Sequence, residues 1–169
     1  MEVKVMTDTQ LSQESLFSRR FVDGMPERFE QFGRGVVRGW LYNNAVVIHK
    51  AYIDPAGAAV DNWFEMSLDT YADWSATKSY RAVEYFPNLS RVLFATSVQE
   101  KAKMLAKSFP HMQGKSAIVV PRKFVTMSFR RFINKTLRRL QPDMEREVFH
   151  HYEDAIAWLC EDLKVEKSA

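Results

Sequence analysis

The feature that most narrows the choice of fold is an alternation that runs from Val36 to Leu163. Short β-branched runs take turns with stretches whose apolar residues recur every three or four positions. Val36–Leu41 and Ala45–Tyr52 read as strands. Asn43-Asn44 between them suits a two-residue hairpin turn, because Asn tolerates positive φ. Asp54-Pro55 and Gly57 end the second strand. Residues 61–74 predict a helix, with Phe64, Leu68 and Tyr71 at i, i+4 and i+7 and with Trp63 and Trp74 widening the stripe. Tyr80–Phe86 predicts a strand stopped by Pro87-Asn88.

A second helix follows Ser97, with Val98, Ala102, Leu105 and Phe109 on one face. Ser97 and Glu100 have the spacing of a capping box, in which the hydroxyl accepts from an amide three residues on and the carboxylate reaches back. Ser116–Val120 is apolar and β-branched, as a buried central strand should be. A third helix spans about 125–140, with Phe129, Phe132, Ile133 and Leu137 as its stripe, and Pro142 stops it. Arg146–Phe149 is a short strand and Tyr152–Leu163 the last helix. Val92–Ala95 is a short extended run, and residues 15–32 hold an edge strand or irregular cover. The order β-β-α-β-α-β-α-β-α predicts an α/β domain over residues 15–169: a mixed, mostly parallel sheet with helices packed on it and right-handed crossovers. Residues 1–14 read as a flexible tail.

Composition agrees with one packed domain. Apolar residues make up 46% and charged residues 27%, which excludes a disordered chain. Cys160 is the single cysteine, so no internal disulfide forms. No apolar run approaches the ~20 residues that cross a bilayer. Met1–Glu14 lacks the apolar core of a signal peptide, and the expected location is the cytoplasm.

The C-terminal stretch Glu147-Val148-Phe149-His150-His151-Tyr152-Glu153-Asp154-Ala155-Ile156-Ala157-Trp158-Leu159 resembles the final strand and helix of SpoIIAA-like bacterial proteins. The element order over residues 36–163 is similarly that of the STAS (anti-sigma-factor-antagonist) fold. The resemblance implies a non-enzymatic interaction module. Some members of the family are switched by phosphorylation of the Ser in an Asp-Ser-Gly motif at the start of the second helix. This chain reads Pro87-Asn88-Leu89-Ser90 there and reaches its helix at Thr96-Ser97, so Ser97 is the candidate phosphoacceptor, displaced from the family position. Its plainer role is the helix cap. The topology is also shared with lipid-binding domains, which implies a small-ligand or lipid-headgroup alternative.

Charge is unevenly placed. Residues 122–139 hold seven basic side chains and no acidic ones, leaving 17 basic against 21 acidic elsewhere. Arg131, Lys135 and Arg138 fall at i, i+4 and i+7, flanked by Arg130 and Arg139. Such a face attracts an acidic protein surface or anionic lipid, while a simply solvated face is the plainer alternative. Nucleic acid is the weakest target, since no nucleic-acid motif is present. Asp61, Glu65, Asp69 and Asp73 form an acidic row on the first helix. This row is expected to pair with a basic helix, in the same molecule or in the second copy of a homodimer.

Catalytic and metal-binding patterns are missing. There is no Gly-x-Ser-x-Gly, P-loop or dinucleotide fingerprint, and no cofactor is implied. His150 and His151 are adjacent on a strand and point to opposite faces, so no metal is expected. An aromatic pocket under the first helix, lined by Trp63, Phe64 and Trp74, is the candidate ligand site. The leading function class is a non-enzymatic regulatory or scaffolding module acting through its basic helix, the second is a small-ligand or lipid-headgroup binder, and an enzyme without a recognised motif is the third and weakest.

Overall fold

The computed structural model describes residues 26–53, 57–74, 77–89 and 97–163. The expected tail over 1–14, the Asp54-Pro55 turn and the Val92–Ala95 run lie outside the described residues. Among the described residues, six strands form one sheet: β1 (Arg28–Gln31), β2 (Val36–Leu41), β3 (Val46–Ala51), β4 (Tyr80–Tyr85), β5 (Gly114–Val119) and β6 (Met144–Phe149). Their spatial order is the chain order. The first three are antiparallel, and β3 to β6 are parallel.

The helices are α1 (Ala58–Asp73), α2 (Gln99–Ser108), α3 and α4 (Tyr152–Cys160). α3 covers residues 127–140 and has three parts: Met127–Arg131, a π-helical Phe132–Leu137 and Arg138–Leu140. Thr126 caps it, its hydroxyl accepting from the Phe129 amide at 3.2 Å.

Period two divides each strand between two cores. Val36, Ala51 and Ile118 join Trp63, Met66, Val98 and Phe129 beneath α1, α2 and α3. Their neighbours Val37, Ile48, Val83, Ala117 and Val119 pack against Tyr152, Ala155, Ile156 and Leu159 of α4 on the opposite face. Three successive crossovers therefore share one face. A constant crossover hand then carries the chain in one direction across the sheet, which accounts for its monotonic order.

The α/β architecture is as the sequence predicts, with three local differences. β1 is a true sixth strand, paired with β2 from Arg28↔Trp40 to Gln31↔Val37. The hairpin loop is longer than two residues: Leu41 pairs with Val46, and Tyr42, Asn43 and Asn44 all take positive φ. The third difference concerns the start of α2. Its N-cap is Val98, already helical at φ −65 and ψ −43, with no side-chain cap bond. Ser97 lies in the preceding helical turn and is exposed. The expected capping box is absent because a residue with helical dihedrals does not direct its side chain at the orphan amides. Glu100 instead pairs with Lys103 at 3.0 Å.

Candidate functional site

Each strand from β2 to β6 carries a polar residue on the face beneath the helices: Arg38, His49, Glu84, Ser116 and Arg146. Register places Arg38 beside His49, and His49 beside Glu84. It places Ser116 beside Arg146.

The first three form one bonded chain with α1. Arg38 Nη1 donates to Asp69 Oδ2 at 2.6 Å and to Thr70 Oγ1 at 2.9 Å, and the guanidinium also pairs with Glu30. Thr70 donates its hydroxyl proton to the Met66 carbonyl at 2.8 Å. Its oxygen must therefore accept at the contact with His49 Nε2, 3.0 Å away. His49 Nδ1 lies 3.0 Å from Glu84 Oε1, so a further proton sits between this pair. Trp63 Nε1 donates to the other oxygen of Glu84 at 2.8 Å. His49 is fully buried and Glu84 is 7% exposed. Charges at such depth persist only when hydrogen-bonded. The Thr70 hydroxyl is buried and commits its proton to the Met66 carbonyl, and both Glu84 oxygens are engaged, so the arrangement reads as structural.

The last two polar residues face a cavity of about 60 Å³. Its roof is apolar, built from Val98 and Ala106 of α2 with Phe129, Phe132, Ile133 and Leu137 of α3. Its floor holds Glu84, Ser116 and Arg146. Arg146 donates to Gln141 Oε1 and, at 3.4 Å, to the Met144 carbonyl. Burial pulls its guanidinium below the usual arginine range. Burial also pushes the Tyr71 hydroxyl, which lines the same cavity, up to about 12.

Among the described residues, Trp63, Phe64 and Trp74 do not line one common cavity. Trp63 lines the cavity, but Phe64 packs under the Lys101 ammonium, 4.7 Å from its ring centroid. Trp74 stacks on Trp40 at 6.4 Å and meets Tyr80 edge-on at 4.9 Å. Trp63 and Trp74 share a helix side but lie three turns apart, about 16 Å along the axis, too far to wall one small pocket.

The basic helix keeps its outward face. Arg130, Arg131, Lys135, Arg138 and Arg139 are all exposed. None has a carboxylate within 4.0 Å among the described residues, whereas Arg38, Lys101, Lys103 and Lys115 do. The acidic row of α1 does not pair with this helix inside the molecule. Asp61 bonds Lys101 of α2 at 3.0 Å and Asp69 bonds Arg38 of β2, because α2 packs between α1 and α3. His150 Nδ1 sits 3.3 Å from the Val120 carbonyl, while His151 is exposed at the start of α4. Among the described residues, no helix is long and apolar enough to cross a membrane.

Sequence reasoning missed Arg38, His49, Glu84, Ser116 and Arg146. The signal was one polar residue inside each apolar run, such as Glu84 in Tyr80–Tyr85 and Ser116 in Gly114–Val119. Comparison with protein-family models, with curated proteins and with solved structures finds no match.

Proposed function

We propose that the chain is a non-enzymatic docking module whose α3 face binds an acidic protein surface, with Arg131, Lys135 and Arg138 at its centre. The observation that carries this reading is the five exposed cations of α3 that lack a carboxylate partner among the described residues. Concentrated unpaired charge raises encounter rates with an opposite surface and fixes orientation. Met127, 81% exposed at the start of the same helix, supplies an apolar contact at the rim. A membrane surface fits less well, because the apolar stripe of α3 is spent in the core and offers nothing to insert between lipids. The STAS-like reading belongs to the same proposal: the alternation from β2 onward and the closing β6–α4 unit support it, and the additional β1 departs from the order read from the sequence. On this reading Ser97, exposed and free of a capping role, stays a candidate phosphoacceptor.

The test is affinity capture from native cells, comparing the wild type with an Arg131→Glu, Lys135→Glu, Arg138→Glu variant. Sedimentation with phosphatidylserine vesicles runs in parallel. A defined protein retained by the wild type in a salt-sensitive way, and lost in the variant, is the expected result. Equal retention by both, or vesicle binding without a protein partner, overturns the reading.

A further inference from the structure

The cavity beneath α2 and α3 contains two polar groups that the fold leaves under-used. Ser116 is 4% exposed and lines the cavity, yet its hydroxyl makes no hydrogen bond among the described residues. A hydroxyl that faces the cavity in this way is available to an acceptor placed there. Arg146 lines the same cavity with no carboxylate within 4.0 Å among the described residues. Its bonds to Gln141, Met144 and the Tyr71 hydroxyl still leave part of its five-donor fork unused. Glu84 is the one carboxylate in the lining, and His49 and Trp63 already hold both of its oxygens.

Ser116 and Arg146 are register partners on neighbouring strands, which lie about 4.8 Å apart. A planar anion set between them can accept from the hydroxyl and from the guanidinium together. Carboxylate matches that fork in shape and charge. Above it the side chains are mostly apolar, among them Val98, Phe129, Phe132 and Ile133, and the two polar ones, Tyr71 and Gln141, are both bonded to Arg146, so the rest of the occupant meets hydrocarbon.

We infer that this cavity is a binding site for a short-chain aliphatic monocarboxylate, its carboxylate held by Arg146 and Ser116 and its chain by α2 and α3. A volume of about 60 Å³ has room for about four waters, which suits an acid of no more than about four carbons. A groove outside β6 shares Ile133 and Arg146 with the cavity, so the two lie on either side of the same side chains. The roof is the π-helical part of α3, a geometry that recurs at functional sites.

The experiment is an amide-resolved NMR titration of the full chain with sodium butyrate. Butyramide serves as the neutral isostere and sodium phosphate as the inorganic anion. Saturable shifts centred on β5, β6 and α3 are expected with butyrate, and binding of butyramide and phosphate at least about tenfold weaker. Ser116→Ala should weaken butyrate binding by about three- to tenfold and Arg146→Gln by more, as loss of charge-assisted bonds demands. If Arg146→Gln does not fold, Ser116→Ala and the cavity-filling Ala106→Leu carry the test, the latter abolishing binding. An Arg131→Glu, Lys135→Glu variant, which leaves the groove residues intact, should still saturate with butyrate, which separates this site from the docking face. The inference is overturned by no saturable binding to the wild type, by butyramide or phosphate binding as well as butyrate, or by unchanged affinity in folded Ser116→Ala.

Discussion

Lys50 occupies the sheet face opposite the polar row and is 4% exposed. Its ammonium lies 5.2 Å from the Tyr52 ring and 5.4 Å from that of Tyr85, and burial pushes it down from 10.5 to about 8. Between these values the unfolded chain holds a proton that the native chain has released. Stability therefore rises with pH from about 8 toward 10, by at most about 1.4 kcal/mol per pH unit for one group. Above pH 10 the buried tyrosines reverse the trend. Tyr71 and Tyr152 are raised by burial and keep protons that their unfolded counterparts lose. Urea denaturation at pH 7.5, 8.5 and 9.5 should show the rise in the wild type and a flatter profile in Lys50→Met; a flat wild-type profile counts against the buried amine. In sequence, Lys50 followed His49 in an apolar run and gave no sign that both would be buried. Which face each takes depends on period two, and what each meets depends on register between strands that lie far apart in the chain.

At the scale of elements, the sequence was legible wherever periodicity was strong. α1, α2 and β4 to β6 fall within a few residues of their predicted spans, because apolar stripes report the buried face directly. Termini were less legible. The Ser97–Glu100 spacing was correct for a capping box, but the turn before α2 is already helical and the pattern has nothing to cap. β1 was hard to see because three of its four residues are exposed and its pattern is therefore weak. Gly114 shows a constraint invisible in sequence. It opens β5 at φ +139, and a Cβ there would lie 2.0 Å from the Tyr80 carbonyl oxygen and 2.6 Å from its nitrogen. The backbone of β4 cannot yield as a side-chain tip would. Gly114→Ala should therefore separate the starts of β4 and β5 and cost about 2 kcal/mol or more, in the range of strained backbone substitutions. Thermal unfolding followed by circular dichroism measures it, and an unchanged midpoint would show that the strands part without cost.

The whole molecule joins an antiparallel half, β1 to β3, to a parallel half, β3 to β6, and the buried polar chain crosses that join. Glu30 on β1, Arg38 on β2, His49 on β3 and Glu84 on β4 are linked through Asp69, Thr70 and Trp63 of α1. No single element shows this arrangement; it exists only once register and helix placement are both set. Glu84→Leu conserves volume while leaving the Trp63 N–H and the His49 Nδ1 without their acceptor. Breaking one partner of a buried pair costs about 3–5 kcal/mol, a large share of the roughly 5–15 kcal/mol that holds a domain together. Because the chain of bonds ties the two halves, the loss should lower the stability of both together. Urea unfolding of Glu84→Leu should then remain one transition, with tryptophan fluorescence and far-ultraviolet circular dichroism coincident at a lower midpoint. Two separated transitions would mean that the halves are held by their own cores and that the polar chain does not couple them; a loss below about 1 kcal/mol would mean that hydrocarbon packing replaces it.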